Sequence, residues 1–320
     1  MKKKIEIFCT IGPGSLNTKF LNFANSNINL LRLNMSHLDL KQLKKNIFYL
    51  KKHSKVPICI DTEGAQIRTK CNKTKFFKKN HKIKIFRNKN YYFYPDDVFD
   101  KLKVNDKLDI GFSGLCVKIE KKNNNFFICK VQNPGFFEPN KGVHLINREI
   151  KLNYLTNKDI EAIKIGQKLN IKYYALSFTN SHIDVIKFNK LLKSEKKIFK
   201  VETKEAIKNL KKIIKFGNNL LIDRGDLSKD IKIENVPIIQ RKIIHEAKKN
   251  RKNVYVATNF LESMILNSYP TRAEVNDIYN TIEMGAKGLV LAAETAIGKN
   301  PVECVKILKK IIKVFKKNNA

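Results

Sequence analysis

Eight short apolar runs, separated by amphipathic stretches, constrain this chain of 320 residues more than any other feature. They are Ile5 to Ile11, Asn29 to Leu33, Pro57 to Thr62, Tyr173 to Phe178, Ile198 to Glu202, Asn219 to Asp223, Val254 to Thr258 and Gly288 to Ala292. Each is short for a helix and lacks the polar alternation of a strand with one wet face, so each reads as a parallel strand buried on both sides. Helical periodicity fills most of the gaps, as over Lys158 to Leu169, Lys204 to Phe216, Ile238 to Lys249, Ala273 to Met284 and Pro301 to Phe315. Such alternation is the sequence form of an α/β fold, and about eight strand-plus-helix units is the number that closes a (β/α)8 TIM barrel.

One gap breaks the pattern. From Thr69 to about Asn147 there is no helical period, and β-type segments appear at Lys82 to Phe86, Lys107 to Ile110, Leu115 to Ile119 and Phe126 to Val131. The expected organisation is a barrel domain over 1–68 and 148–320, with a small all-β, barrel-like domain over 69–147 inserted after the third strand.

Composition excludes several classes. At 42% hydrophobic content the chain has ample material for a core. No segment approaches the roughly 20 apolar residues of a membrane span, and the first residues alternate like a strand, so a cytoplasmic protein with no membrane partner is expected. Cys9, Cys59, Cys71, Cys116, Cys129 and Cys304 are scattered with no CxxC pair and read as structural; the six histidines show no zinc spacing. The net charge of +35 is mostly lysine spread over the whole chain. No nucleic-acid motif accompanies it, so no dedicated nucleic-acid partner is expected.

In such a barrel, functional groups collect where strands end and βα loops begin. The second strand ends in Arg32-Leu33-Asn34-Met35-Ser36-His37, the third in Asp61-Thr62-Glu63-Gly64, the fifth in Lys200-Val201-Glu202, the sixth in Asp223-Arg224-Gly225-Asp226 and the seventh in Thr258. Lys200 and Glu202 are two apart and so share one face of their strand. A buried salt bridge would explain that pair alone. Asp226 adds a second carboxylate from the neighbouring strand, and converging carboxylates call for a proton or a metal. Oxygen-rich, histidine-poor ligation suits Mg2+ or Mn2+ completed by substrate oxygens and water. Arg32 and Lys200 then supply fixed positive charge for an anionic substrate such as a phosphate. Together with metal and positioning, such cations are the parts phosphoryl transfer needs.

These residues also carry a resemblance. Cys9-Thr10-Ile11-Gly12-Pro13, the Arg32 to His37 block, Asp61 to Thr69, Arg224-Gly225-Asp226-Leu227, Ala257 to Met264, Pro270 to Val275 and Glu294-Thr295-Ala296 resemble pyruvate kinase motifs in order, from residue 4 to about 310. The resemblance implies a barrel with a lid domain inserted after the third strand, and transfer of the phosphoryl group of phosphoenolpyruvate to ADP, giving pyruvate and ATP in glycolysis. By position it implies Glu202 and Asp226 as Mg2+ ligands, Arg32 and Lys200 as the groups that hold and neutralise the phosphoryl group, and Thr258 near the carbon that takes up a proton. It further implies Asn34, Ser36, Asp61 and Thr62 as K+ ligands, the backbone amides around Gly225 and Asp226 as the substrate carboxylate site, and His37 and Arg68, with Asn34, on the nucleotide side.

Several positions depart from the family pattern. Glu63 stands at a lysine position, Ala65 at a proline, Gln66 at a glutamate, Thr203 at an asparagine and Asn180 at an arginine; Ala292-Ala293 replaces Ser-Gly, and Asp109 to Gly114 lacks the usual Asp-Asp-Gly. Reversing one charge about 8 Å from a phosphate is worth about 2 kcal/mol at an effective dielectric near 20, enough to weaken activity without abolishing it. Gln66 leaves the K+ requirement open. The family's usual further α/β domain is not expected after the eighth unit, so its allosteric control is not expected either, and any homo-oligomer would use barrel surfaces. Two alternatives stand beside an active kinase: an impaired paralogue that binds phosphoenolpyruvate or metal, and another phosphoenolpyruvate or oxoacid enzyme on the same scaffold.

Overall fold

The structure is a computed structural model and describes residues 4–111 and 114–318. Phe112 and Ser113, within the altered Asp109 to Gly114 segment, lie outside the described residues. Two compact units are present: Met1–Gly64 with Asn157–Ala320, and Ala65–Thr156.

The first unit is a closed parallel barrel of eight strands: β1 (Glu6–Thr10), β2 (Leu30–Asn34), β3 (Ile58–Asp61), β4 (Tyr173–Leu176), β5 (Lys196–Val201), β6 (Asn219–Asp223), β7 (Asn253–Ala257) and β8 (Gly288–Leu291). Neighbours in sequence are neighbours in the sheet, and β8 closes on β1 with Phe8 opposite Val290. The helices between them carry local start signals. Leu40–His53, His182–Leu191 and Arg272–Glu283 each begin with a capping box, from Asp39 and Gln42, Ser181 and Asp184, and Thr271 and Glu274. The helix Pro301–Asn318 buries Cys304, Val305, Leu308, Ile311 and Ile312, a spacing that places them along one face and leaves its lysines to solvent.

One helix differs from expectation. Lys204 to Phe216 is split into Lys204–Lys208 and Leu210–Phe216, because Asn209 turns out of helical geometry and donates its side-chain amide to the Asn180 carbonyl at 2.9 Å. A side chain that can satisfy a neighbouring backbone group in this way competes with helix continuation.

Alternate positions along the strands share a face, and here one face carries first an apolar layer and then the polar strand ends. Phe8, Leu30, Cys59, Ala175, Ile198, Leu221, Tyr255 and Val290 form a single buried cluster, with Phe8 and Tyr255 stacked at 4.4 Å. Two residues further along the same faces come Arg32, Asp61, Lys200 and Asp223. The packed apolar layer thus fixes the strands whose ends bear the charges.

The second unit is a seven-stranded closed sheet in the order Phe126–Asn133, Lys82–Phe86, Tyr91–Tyr94, Ile67–Cys71, Gly142–Leu145, Lys107–Ile110, Leu115–Lys122, with a separate pair, Lys75–Phe77 and Gly135–Phe137. Its limits fall at 64/65 and 156/157 rather than 68/69 and 147/148. At the start, Ile67–Cys71 pairs with Tyr91–Tyr94 and Gly142–Leu145 and so belongs to this sheet; at the end, Ile150 and Leu152 pack on its core. It is also not wholly β, since Val98–Lys101 forms one helical turn that buries Val98 and Phe99. No helix among the described residues is long and apolar enough to cross a membrane.

Leu221 is 1% exposed in the middle of the barrel layer. Leu221→Ala should cost about 3 kcal/mol of unfolding free energy, the usual result of a cavity in a close-packed interior. Urea unfolding at constant m-value reads this directly, and a loss under about 1 kcal/mol would mean that the layer collapses onto the gap and does not hold the strand ends.

Candidate active site

Lys200 reaches its position because β5 is buried throughout from Ile198 to Val201 and alternation turns residues 198, 200 and 202 to one side. Its ammonium stands 2.7 Å from Glu202 Oε1, 3.4 Å from Asp61 Oδ2 and 3.6 Å from Asp223 Oδ2, and donates to Ser177 Oγ at 3.0 Å. Burial would lower the pKa of such a group, but Asp61, Glu202 and Asp223 outweigh it and hold the ammonium well above its usual value. Lys200 is therefore a permanent cation.

Arg32 approaches from β2. Its Nη1 lies 3.1 Å from Asp61 Oδ2 and its Nε donates to Thr10 Oγ1 at 2.9 Å. Asp61 is fully buried and also accepts from Ser177 Oγ at 3.2 Å. Two cations from different strands thus share one carboxylate, which sets their spacing.

Glu202 is fully buried, and its Oε2 accepts from the Phe178 N–H at 2.7 Å. Its Oε1 meets Lys200 at short range yet has no hydrogen bond of acceptable geometry. One oxygen from each of Glu202, Asp223 and Asp226 lies within 4.8 Å of the others. Asp226 sits in the first turn of the helix Arg224–Asp230 and pairs at the rim with Lys229 at 2.9 Å. The sequence-predicted pair of Glu202 and Asp226 is therefore brought together, with Asp223 beside it.

Thr258 follows β7 with φ of +73°. Its Oγ1 accepts from the Gly225 N–H at 2.9 Å and its carbonyl accepts from Arg224 Nε at 3.1 Å, while Arg224 Nη1 pairs with Asp277 at 2.6 Å. Arg224, a residue of the Arg-Gly-Asp motif to which the sequence assigns no role, thus locks the β6 and β7 loops together.

The remaining predicted residues divide. Asn34 and Asp61 are register partners on β2 and β3, and Asn34 Oδ1 accepts from the Ser36 N–H at 3.0 Å. Thr62 has its hydroxyl engaged by the Ser177 N–H at 3.0 Å and its carbonyl by Ser177 Oγ at 2.6 Å. His37 is exposed at the end of the turn after β2. Arg68 belongs to the second unit, where Nη1 donates to the Asn140 carbonyl at 3.2 Å. Sequence reasoning gives no role to Ser177 or Asp223; both are polar residues at strand ends, which is the signal that marks their neighbours.

The Glu63 substitution is answered locally. Its carboxylate is buried and lies 2.8 Å from Lys158 Nζ, which also donates to the Met35 carbonyl at 2.6 Å. Asp159 accepts from the N–H groups of Glu63 and Gly64, whose φ of +70° and contact with the Ser177 carbonyl leave no room for a Cβ. A neutral pair is felt at a distance as a dipole, so the charge reversal expected to weaken phosphate binding is offset where it arises. Likewise, Thr203 and Asn180 depart from the family pattern together and hydrogen-bond one another at 2.5 Å.

Glu202 also generates a pH dependence. Burial first, then the like charges of Asp226 and Asp223, push its carboxyl up to about 8 against the opposing pull of Lys200. Its proton is held more tightly in the folded state than in the unfolded one, where the value is about 4.3. The contribution is thus favourable below about 4.3 and is lost as pH rises toward about 8. With no divalent ion present, the thermal midpoint of the wild type should fall relative to Glu202→Gln across that window; parallel curves would show that Lys200 alone keeps Glu202 ionised.

The family model for the barrel domain of pyruvate kinase matches residues 2–305. The pyruvate kinase of Thermotoga maritima is 33% identical over 98% of this chain and 72% of its own length. That of Staphylococcus saprophyticus is 33% identical over 97% of this chain and 56% of its own, and plastidial pyruvate kinase 3 of Arabidopsis thaliana is 31% identical over 96% and 57%. The chain therefore spans little more than half the length of the latter two. With the parallel barrel, the cation pair and the carboxylate cluster of the described site, matched over nearly the whole chain, it belongs to the pyruvate kinase family.

Proposed function

We propose that this chain transfers the phosphoryl group of phosphoenolpyruvate to ADP, forming pyruvate and ATP as a step of glycolysis. The observation that carries the reading is the convergence of Arg32 and Lys200 on the buried Asp61, beside the buried Glu202 and Asp223 and the half-buried Asp226. A cation pair beside carboxylates is what an anionic phosphoryl group and its counter-ion need.

The donor set fits a hard divalent ion. Glu202 and Asp226, carboxylates with no nitrogen or sulfur ligand beside them, suit Mg2+ or Mn2+, and the buried Glu202 Oε1 lacks a properly directed donor. Glu202 and Asp226 would hold the ion; when bound it would act as a Lewis acid, offsetting charge on phosphoryl and enolate oxygens.

The protein's own groups account for the rest. Arg32 grips the phosphoryl oxygens, oriented by Thr10 and Asp61. Lys200 lies between carboxylates that keep it charged, and it neutralises the group as it leaves. The substrate carboxylate takes the N–H groups of Gly225 and Asp226, which requires it to displace the present bond from Gly225 to Thr258 Oγ1. That displacement frees the Thr258 oxygen of one donor while its hydroxyl still donates to the Ala257 carbonyl at 2.5 Å, and this hydroxyl would stand near the enolate carbon whose protonation completes pyruvate. On the barrel unit, ADP would be received by His37 and Asn34. K+ would take its oxygen ligands from Asn34, Ser36, Asp61 and Thr62, of which Asn34 and Asp61 lie side by side.

The test is pyruvate formation from phosphoenolpyruvate and ADP with Mg2+, with and without K+, in the wild type beside Lys200→Met. Lys200→Met should lower turnover by about 10²-fold or more, the usual loss when one preorganised charge donor is removed. A folded wild type that binds phosphoenolpyruvate and forms no pyruvate would overturn the reading.

A further inference from the structure

Asp223 ends β6 immediately before the Arg224-Gly225-Asp226 motif, and neither substrate nor ion claims it in the proposed reaction. Its side chain is 8% exposed. Lys200 Nζ lies 3.6 Å from its Oδ2, too far for a hydrogen bond, and already has two nearer carboxylates in Glu202 and Asp61. Asp223 thus adds to the field around Lys200 without bonding to it. In the other direction, Asp223 has a carboxylate oxygen within 4.8 Å of oxygens from both Glu202 and Asp226. Ligand oxygens on opposite sides of a hard divalent ion are separated by about 4 to 5 Å.

The charges point the same way. Asp61, Glu202 and Asp223 lie buried with Arg32 and Lys200, while Asp226 is half-buried and pairs with Lys229 at the rim. Carboxylates in excess of cations in a buried site need a proton or a bound cation. Glu202 Oε1, fully buried beside Lys200 but without a well-directed hydrogen bond, is the oxygen left to receive one.

We propose that Asp223 is a third protein ligand of the divalent cation, joining Glu202 and Asp226, so that the ion is held before any substrate arrives. The inference rests on the metal site of the proposed function and extends it. A site of two carboxylates depends on substrate oxygens to complete its ligand set, whereas a third anionic ligand raises affinity in the substrate-free protein.

Mn2+ alone is the probe, titrated into the full chain without phosphoenolpyruvate or nucleotide, with free Mn2+ followed by electron paramagnetic resonance. Wild type, Asp223→Asn, Asp223→Ala and Glu202→Gln are compared, each with its thermal midpoint recorded. The Asn variant preserves side-chain volume should Ala disturb the strand end. Both Asp223 variants should bind Mn2+ at least about tenfold more weakly than wild type, as should Glu202→Gln. If the Asp223 variants bind like wild type while Glu202→Gln does not, the third ligand is refuted and the site of Glu202 and Asp226 stands. If wild type takes up no Mn2+ without substrate, the ion is not held in advance and the proposal fails, while the turnover assay judges the kinase reading separately.

Discussion

The buried ammonium of Lys200 is the interaction on which the functional end of this barrel depends. It touches Asp61 from β3, Glu202 just past β5, Asp223 from β6 and Ser177 from the loop after β4. Four consecutive strand ends are thereby tied to one charge. Taking that charge out of water is costly, and the cost is offset only because its partners are held at fixed distances by strands packed on an apolar layer. As a device for stability alone the arrangement is inefficient, since well-packed apolar residues would serve the fold as well. It makes physical sense as a preorganised charge field, fixed by the packing of the strands that carry it.

Several substitutions that set this chain apart from its family's motifs are matched by a partner within the fold. Glu63 is neutralised by Lys158, whose ammonium also holds the Met35 carbonyl and so ties the turn after β2 to the end of β3. Thr203 caps the helix Lys204–Lys208 and donates to Asn180, joining two divergent positions in one contact. In both cases the local electrostatics are balanced within hydrogen-bond range, which confines their effect to the immediate surroundings. No comparable partner explains Ala65 or Ala292-Ala293.

The barrel was legible because burial on both faces writes each strand as a nearly continuous apolar run, and because a parallel strand must be followed by a crossover. Strand ends were legible for the same reason: a charged residue closing an apolar run, such as Asp61 or Asp223, marks the point where the chain leaves the packed layer. The limits of the inserted unit were not, since Ile67–Cys71 has no period that distinguishes a strand of the small sheet from a continuation of the barrel. Its membership follows only from its long-range partners Tyr91–Tyr94 and Gly142–Leu145. The break at Asn209 was equally hidden, because it depends on a carbonyl 29 residues away. Position in a motif singles out Glu202 and Asp226 but gives no role to Asp223 and Ser177, whose contacts come from the ends of adjacent strands.

The two kinds of residue differ in how they encode information. An apolar core position is specified many times over, by its own run and by the runs beside it, so that pattern suffices to place it. A polar group at a strand end is specified once, by geometry: Asp223 belongs with Glu202 and Asp226 because β5 and β6 are adjacent with Val201 opposite Ile222, which brings the residues following that register within reach of a common point. Register is therefore the step at which sequence becomes chemistry in this fold. A shift by one residue would turn the face that carries both the apolar layer and the charged strand ends away from the barrel interior, and the packing of Phe8, Leu30, Ile198, Leu221 and Tyr255 opposes it.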